Sequence, residues 1–324
     1  MNSGWLIAIG MVSGLGLFLY GIQIMASGMQ KVAGDRLRRI LEVLTGKPII
    51  GVFTGILVTV LVQSSSTTTV MLVGFVNAGL MNLSQAVSAI MGANIGTTIT
   101  AQIISFKLEG IAFPFIGIGG LLNFFGRRRL YRYMGQTILG FGLLFLGMIT
   151  MSEAVSPLRE SAFFLNLLVN AGKHPLLGVL VSALFTAVIQ SSSATTGIII
   201  ALALQDLLSL ESAIPLILGT NIGTCITALL ASMGASLSAR KAAFSHIFFN
   251  IFGVLLALLF LKPFTGFILE TSHTVARQVA NAHTLFNVFN TIILFPFFKY
   301  FIRFVNWAVP GEETVLEMGP KYLD

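Results

Sequence analysis

The chain repeats itself at an interval of 127 residues, and this repeat limits the folds that it can adopt. Residues 48–106 align with residues 175–233 without an insertion. The run QSSS begins at Gln63 and again at Gln190, and GANIGTTITA (92–101) recurs as GTNIGTCITA (219–228). Apolar stretches share Leu and Ile by composition alone, whereas the polar and glycine matches need a common structure. The pattern predicts two equivalent halves.

The chain carries too little charge for a soluble protein. Hydrophobic residues make up 55% of its 324 residues and charged residues 10%, whereas soluble domains have about 25% charged residues. The composition predicts an all-α polytopic membrane protein. Because the first Lys is Lys31, we interpret the apolar N-terminal stretch as a first span and not as a cleaved leader. The single Cys225 excludes an internal disulfide framework.

Each QSSS run interrupts an apolar segment that is otherwise suited to lipid. About 15 apolar residues precede each run and about 14 follow it, so either arm alone is too short to cross a bilayer. Two crossings joined by a polar turn would leave non-helical backbone at depth, which lipid does not tolerate. The sequence therefore predicts two re-entrant helical hairpins, at 48–80 and 175–207.

Positive charge predicts the orientation of the remaining segments. We expect full spans at 5–27, 84–106, 110–126, 133–153, 211–233, 243–262 and 284–306. With the N-terminus outside and the C-terminus in the cytoplasm, 14 Lys and Arg residues lie inside and 5 lie outside. This bias accounts for the net charge of +7 and removes the reason to expect a nucleic-acid partner. We expect a multi-pass protein of the cell inner (plasma) membrane.

Three spans in each half would give the halves opposite orientations. The predicted fold is therefore two inverted-topology repeats, each with a re-entrant hairpin and a broken transmembrane helix at 84–106 and at 211–233. The repeats cover residues 1–132 and 133–262, an extra C-terminal helix follows at 263–308, and residues 309–324 form a polar tail or linker. In such an arrangement the two QSSS tips would meet near the membrane midplane, as in secondary transporters.

The two tips have the chemistry of an anion site. A helix that begins at each run presents free backbone N–H groups and the positive end of its dipole, and serine is a good N-cap. Two such N-termini that face each other could hold an anion without Lys or Arg, which are absent from the middle of the predicted spans. The residues concerned are Ser64, Ser65, Ser66, Thr67, Ser191, Ser192 and Ser193.

The NIGT motif in each half suggests a cation site. Gly92, Gly96, Gly219 and Gly223 would permit the helix to unwind and so free its carbonyls. Neutral oxygens suit a hard monovalent cation such as Na⁺, and no transition-metal site or cofactor is indicated. The candidate side chains are Asn94, Thr97, Thr100, Asn221, Thr224 and Thr227. Every Asp and Glu lies at a loop or a span end, so a carboxylate proton relay is not expected.

A third string, H-x-x-F-N, occurs at His246–Asn250 and at His283–Asn287. Residues four apart share a helix face. Interhelical hydrogen bonds that tie spans together and a proton-sensitive or gating role both fit this spacing.

The doubled QSSS, the doubled G-[AT]-N-I-G-T and the H-x-x-F-N strings resemble the type II sodium/phosphate cotransporter family in its shorter bacterial form. The resemblance covers roughly residues 10–305. It implies Na⁺-driven transport of inorganic phosphate, with no enzymatic activity. It also implies that phosphate contacts the six tip serines. One Na⁺ site would use Gln190, Ser191, Thr224 and Thr227, and its mirror would use Gln63, Ser64, Thr97 and Thr100.

This sequence departs from the family at one place. The region after the first NIGT motif reads AQIISFKLEG, and its Glu109 lies at a loop, whereas animal electrogenic members carry an acidic residue in the helix there. The number of Na⁺ ions in each cycle is therefore open. The tail GEETVLEMGPKYLD resembles the point where many bacterial relatives continue into a helical regulatory domain.

Other functions remain open from the residues alone. They include Na⁺-coupled transport of another small anion, phosphate efflux, a channel and a phosphate sensor, and a homodimer is possible. An intramembrane hydrolase fits poorly, because the chain has no G-x-S-x-G elbow and no carboxylate near a tip serine.

Overall fold

The computed structural model describes residues 3–34, 47–106, 110–161 and 174–311, and within these ranges the chain is helical with no strand. The first half contains α1 (Ser3–Ala33), α2 (Pro48–Val62), α3 (Ser65–Asn77), α4 (Leu83–Ile104) and α5 (Ala112–Phe125). The second half contains α6 (Arg129–Val155), a 3-10 turn (Ser156–Glu160), α7 (Pro175–Ile189), α8 (Ser192–Leu204), α9 (Leu210–Ala231) and α10 (Leu237–Leu259). Helices α11 (Leu261–Leu269), α12 (Val275–Leu294) and α13 (Phe298–Ala308) follow.

Each segment predicted as a re-entrant hairpin contains two helices joined by a tight turn, α2–α3 and α7–α8, and their re-entry into a membrane stays a prediction. Gln63 and Gln190 end the first helix of each hairpin in the left-handed conformation, each with φ of 58°. The residue after each Gln is an extended serine that caps the next helix. The first helix of each hairpin has 15 residues, or about 22 Å, which is shorter than the roughly 30 Å of a bilayer's hydrocarbon core.

The first helices of the two halves pack against each other in opposite directions. Helix α1 carries GLFLYG and α6 carries the related GLLFLG. Glycines line the contact so closely that an added Cβ would overlap the facing backbone. The pairs in contact are Gly14 with Met151, Gly21 with Leu144 and Gly28 with Thr137, so residue numbers rise on one helix as they fall on the other. Helices α1 and α6 are therefore antiparallel.

The predicted breaks in the NIGT helices are wrong. Helices α4 and α9 each run 22 residues without interruption through the motif. Gly92 lies against the carbonyl of Val52 on α2, and Gly219 lies against the carbonyl of Val179 on α7, with no room for a Cβ at either glycine. The glycines allow close packing between each NIGT helix and the first helix of its hairpin, and this packing stabilises the intact helix.

Six helical segments of the described chain are long and apolar enough to cross a membrane, which supports a multi-pass membrane protein. They are Gly4–Ala33, Leu83–Ile104, Arg129–Leu158, Leu210–Ala231, Leu237–Leu259 and Val275–Ala308. The span expected at 110–126 is instead the 14-residue α5, too short to cross upright. The last segment begins at Val275, earlier than the predicted 284–306.

Some predictions fall on residues outside the described ranges. Glu109, much of the polar tail and several charges in the orientation count, among them Arg36, Arg38 and Arg39, belong to this group. The division into segments at 132 and 262 stays a prediction. Those positions fall inside α6 and α11.

The largest buried cluster is built around α8 and joins α1, α4, α6, α9 and α12 to it. Val52 of α2 belongs to a buried apolar cluster that also contains Phe298, Phe301 and Val305 of α13. Helix α7 has no such cover on its outer face. Its exposed apolar side chains are Leu176, Leu177, Leu180, Val181, Leu184, Phe185 and Val188. In a membrane protein such a face lies against lipid.

Candidate functional site

The serine runs cap the second helix of each hairpin. The Oγ of Ser64 accepts a hydrogen bond from the backbone N–H of Thr67 at 3.2 Å, and the Oγ of Ser191 accepts one from Ala194 at 3.2 Å. The remaining first-turn N–H groups have no partner within the helix, and the positive end of the helix dipole coincides with them. Each tip therefore presents donors and partial positive charge without a cationic side chain.

A second hydrogen bond fixes the angle of each hairpin. Thr59 donates to Thr68 at 3.0 Å across the first hairpin, and Thr186 donates to Thr195 at 2.9 Å across the second. All four threonines are buried. The same two-threonine contact in both halves holds the serines in the same local geometry.

The two tips face a common cavity of about 90 Å³. All six serines predicted to contact the anion line it, as do both glutamines: Gln63, Ser64, Ser65, Ser66, Gln190, Ser191, Ser192 and Ser193. Leu19 and Ile22 of α1 complete the wall. We call this space the tip cavity. No charged side chain lines it, so the partial charge of the helix N-termini dominates its electrostatics.

The apolar wall from α1 was missed by the sequence analysis. An apolar span shows which residues suit lipid or protein, but not which helix each of its faces contacts. The match between GLFLYG in α1 and GLLFLG in α6 was a signal that could have indicated packing of α1 inside the protein.

The Na⁺ residues predicted in the first half are partly brought together. Thr100 donates its hydroxyl to Oε1 of Gln63 at 2.8 Å, and Nε2 of Gln63 donates to the carbonyl of Val60 at 2.5 Å. Thr97 is buried one turn away on α4. Asn94 is directed elsewhere, toward α10.

The Na⁺ residues predicted in the second half are not joined by an equivalent hydrogen bond. Gln190 is exposed, and the Oγ1 of Thr227 is buried with no hydrogen-bond partner among the described residues. Thr224 donates to the carbonyl of Thr220 at 2.7 Å within its own helix. The contact between Gln63 and Thr100 thus has no counterpart between Gln190 and Thr227.

The NIGT asparagines bind the H-x-x-F-N motifs instead of the tips. The Oδ1 of Asn94 lies 3.1 Å from Nε2 of His246 and 3.4 Å from Nδ2 of Asn250 on α10. The Oδ1 of Asn221 accepts from Nδ2 of Asn287 on α12 at 3.1 Å. The interhelical hydrogen bonds that the motif suggested are therefore present at both asparagine pairs.

The remaining polar chemistry contains no metal centre. Among the residues that the structure describes, no three His, Cys, Asp or Glu side chains lie close enough to hold a metal ion. Cys225 is buried, and Nδ2 of Asn250 lies 3.3 Å from its sulfur. The described site is a set of hydroxyls, amides and helix N-termini, a composition suited to an oxyanion and to hard monovalent cations.

The chain is similar to several curated proteins. It is 31% identical over 255 residues to "Uncharacterized protein YqeW" of Bacillus subtilis (strain 168), which covers 79% of this chain and 83% of that protein. It is 28% identical over 263 residues to "Putative inorganic phosphate export protein YjbB" of Salmonella typhimurium, and here the match covers 81% of this chain but only 48% of that protein.

A shorter match reaches an animal protein. The chain is 42% identical over 104 residues to "Sodium-dependent phosphate transport protein 2A" of Ovis aries, which is 31% of this chain and 16% of that protein. No solved structure matches the chain. The model of the Na⁺/Pi-cotransporter family matches residues 17–153 and 158–267, and these two ranges include both serine tips. The chain belongs to the Na⁺/Pi-cotransporter family.

Proposed function

We propose that the chain carries inorganic phosphate across the membrane in symport with Na⁺, by alternating access, with the anion held between the two serine tips. The tip cavity carries this proposal. It joins two helix N-termini and six serines, and its lining contains no charged side chain. Such a site offers hydrogen-bond donors to a tetrahedral oxyanion. Because the site has no cationic side chain, co-transported cations would balance the negative charge of the anion.

The antiparallel packing of the equivalent helices α1 and α6 supports the inverted-repeat part of the proposal. Two repeats of opposite orientation bring their hairpin tips together at mid-membrane and can exchange roles as the protein opens to either side. The short hairpin helices support a re-entrant arrangement, because a helix of 15 residues is too short to cross a bilayer.

We place the coupling ions beside the tips. In the first half, Gln63, Thr97 and Thr100 supply oxygens, and in the second half Gln190, Thr224 and Thr227 supply them. The unpartnered Oγ1 of Thr227 supports the second position, because a buried hydroxyl without a partner is costly and an ion would satisfy it. Asn94 and Asn221 are left out of the ion sites, because their side chains hold α10 and α12.

The direction of flux follows from the gradients that act on such a carrier. One relative is named as a putative phosphate export protein and another as a sodium-dependent phosphate transport protein. A symporter of this kind runs inward under an inward Na⁺ gradient and outward when phosphate is concentrated inside. Both names are compatible with one site.

Uptake of ³²P-labelled phosphate into proteoliposomes tests the proposal. We expect uptake under an inward Na⁺ gradient and none when K⁺ replaces Na⁺. Uptake that is independent of Na⁺, or that unlabelled sulfate inhibits as well as phosphate does, would refute symport or the assigned anion. Flux that does not saturate with phosphate would instead indicate a channel.

Two serine variants test the position of the anion. Ser66 and Ser193 line the tip cavity but do not cap their helices, so Ser66→Ala and Ser193→Ala should fold normally. A hydrogen bond to a charged group contributes about 1.5–3 kcal/mol, so each change should weaken apparent phosphate affinity about tenfold or more. Ser182→Ala is the matched control, because Ser182 is a buried serine of α7 whose hydroxyl has no hydrogen-bond partner among the described residues. Unchanged affinity in both tip variants would place the anion elsewhere.

A further inference from the structure

A cavity of about 360 Å³ lies between α10, α11 and α12, and the function proposed above does not use it. Its volume is within the range of small-molecule sites, about 300–1,000 Å³. Among the described residues that line it, Asn290 alone has a polar side chain, and the others are Phe, Leu, Ile, Ala, Pro and Gly residues. We call this space the Asn290 cavity.

The Asn290 cavity opens to the surface among apolar side chains. Helices α10 and α12 belong to segments that are long and apolar enough to cross a membrane. The exposed lining residues are Phe260, Phe267, Phe289 and Ile293, whereas Gly253, Phe286 and Asn290 are buried. In a membrane protein, an exposed apolar rim of this kind contacts lipid. A ligand therefore reaches the cavity from the hydrocarbon and must be soluble there.

The side-chain amide of Asn290 is only half satisfied. Its Nδ2 donates to the carbonyl of Phe249 at 2.9 Å, and this bond fixes the orientation of the amide, because the reversed amide would place two acceptors against each other. The Oδ1 has no hydrogen-bond partner among the described residues, although Asn290 is only 2% exposed. A buried acceptor without a donor is costly. The buried end of the cavity therefore lacks one hydrogen-bond donor.

Gly253 on α10 makes room for this amide. A Cβ at Gly253 would overlap both the nitrogen and the oxygen of the Asn290 side chain. The amide therefore packs directly on the backbone of α10, and a larger residue at position 253 would displace it. Close packing on one side and the bond to Phe249 on the other hold the free acceptor in one place.

The lining limits what can occupy the cavity. A buried water needs about 2–4 polar partners, and the lining offers one polar side chain. A plain acyl chain fills apolar volume but brings no donor for Oδ1. A charged headgroup would lose its hydration among phenylalanines without an opposite charge in the lining. A neutral molecule with an apolar body and one hydrogen-bond donor satisfies both the volume and the acceptor.

We propose that the Asn290 cavity binds a neutral amphiphile whose polar end is a hydroxyl group, as in a long-chain alcohol. The hydroxyl donates to Oδ1 of Asn290 at the buried end, and the chain lies against the phenylalanines toward the rim. This inference does not rest on the proposed function. Asn290 lies one turn from Asn287, which bonds Asn221 on α9, so the ligand would brace α12 beside that contact.

Photolabelling of the protein in lipid nanodiscs tests the ligand. The probe is 1-hexadecanol with a diazirine on its chain, and the comparison is its methyl ether, which has the same chain but no donor. We expect the alcohol to label peptides from residues 253–267 and 286–293. The ether should label them about 2- to 10-fold less, which is the effect of one hydrogen bond. Asn290→Leu should make labelling by the two probes equal.

A cavity-filling variant tests the position. Ala257 lines the cavity, so Ala257→Phe should remove labelling of these peptides by both probes. The matched control is Leu255→Phe, which adds a ring to the same helix at an exposed position outside the lining and should leave labelling at the wild-type level. If Asn290→Leu does not fold, the comparison of alcohol and ether in the wild type decides whether a donor is required.

Two results would overturn the proposal. Equal labelling of the wild type by the alcohol and the ether, removed by Ala257→Phe, would show that a chain without a donor fills the cavity. Wild-type labelling no stronger than that of Ala257→Phe would show that the cavity takes up neither probe, as when a second copy of the chain covers it. Neither result bears on phosphate transport, which the uptake assay measures separately.

Discussion

The hydrogen bond between Thr100 and Gln63 allows a sharp test of the difference between the two halves. The variant Thr100→Val keeps the shape of the side chain and removes the hydroxyl that donates to Gln63 Oε1 at 2.8 Å. Oε1 then stays buried without this donor, which costs about 1–3 kcal/mol. The variant Thr227→Val removes a hydroxyl that has no hydrogen-bond partner among the described residues. In Na⁺-free buffer its free energy of unfolding should therefore equal that of the wild type or be slightly higher.

The measurement is the free energy of unfolding in mixed micelles, with and without Na⁺. In the absence of Na⁺ we expect Thr100→Val to be destabilised and Thr227→Val to match the wild type. A ligand at 100 times its dissociation constant stabilises the state that binds it by about 2.7 kcal/mol. Thr227→Val should lose part of the stabilisation that Na⁺ gives to the wild type.

A control variant removes a threonine hydroxyl from a place without functional assignment. Thr150 donates to the carbonyl of Leu146 in its own helix at 2.8 Å, so Thr150→Val should have a small effect that does not depend on Na⁺. Equal destabilisation by Thr100→Val and Thr227→Val in Na⁺-free buffer would refute the asymmetry. An unchanged Na⁺ response in Thr227→Val would refute the ion position in the second half.

Three further variants test other contacts. Gly92→Ala places a Cβ into the carbonyl of Val52 and should sharply reduce the yield of monodisperse protein in gel filtration. Gly74 faces open space, so the control Gly74→Ala should express normally. Equal yields of the two variants would contradict the packing role of Gly92. Asn287→Leu breaks the 3.1 Å bond to Asn221 and should lower the free energy of unfolding by about 1–3 kcal/mol, and no loss would show that the bond is dispensable. Gln190→Ala should raise the Na⁺ concentration that gives half-maximal uptake, and an unchanged value would remove Gln190 from the ion site.

The turns at Gln63 and Gln190 and the helices that begin after them could be predicted because their signals are local. Polar serines inside an apolar run, repeated in identical order, have few physical solutions in lipid. The left-handed Gln63 and Gln190 and the serine caps follow from the same short stretch of sequence. The resemblance to the phosphate transporters was confirmed by the family match.

The NIGT helices could not be predicted in the same way. Glycine both loosens a helix and permits close packing, and only the neighbouring helix decides between these effects. For Gly92 that neighbour is α2, whose carbonyl of Val52 occupies the space beside it. The difference between Gln63 and Gln190 was also hidden, because the QSSS run is the same in both halves, whereas Gln63 is distinguished by a contact with Thr100, 37 residues away in the chain.

The uncovered face of α7 has a consequence for the membrane around the protein. Helix α7 is about 22 Å long, and seven large apolar side chains on it are exposed, whereas its counterpart α2 has three such side chains, Ile49, Phe53 and Leu57. A short helix that contacts acyl chains deforms a thick bilayer, at a cost of a fraction of a kcal/mol for each ångström of mismatch. If the second hairpin moves in the proposed transport cycle, its movement changes the mismatch, and the length of the lipid acyl chains should then affect the transport rate.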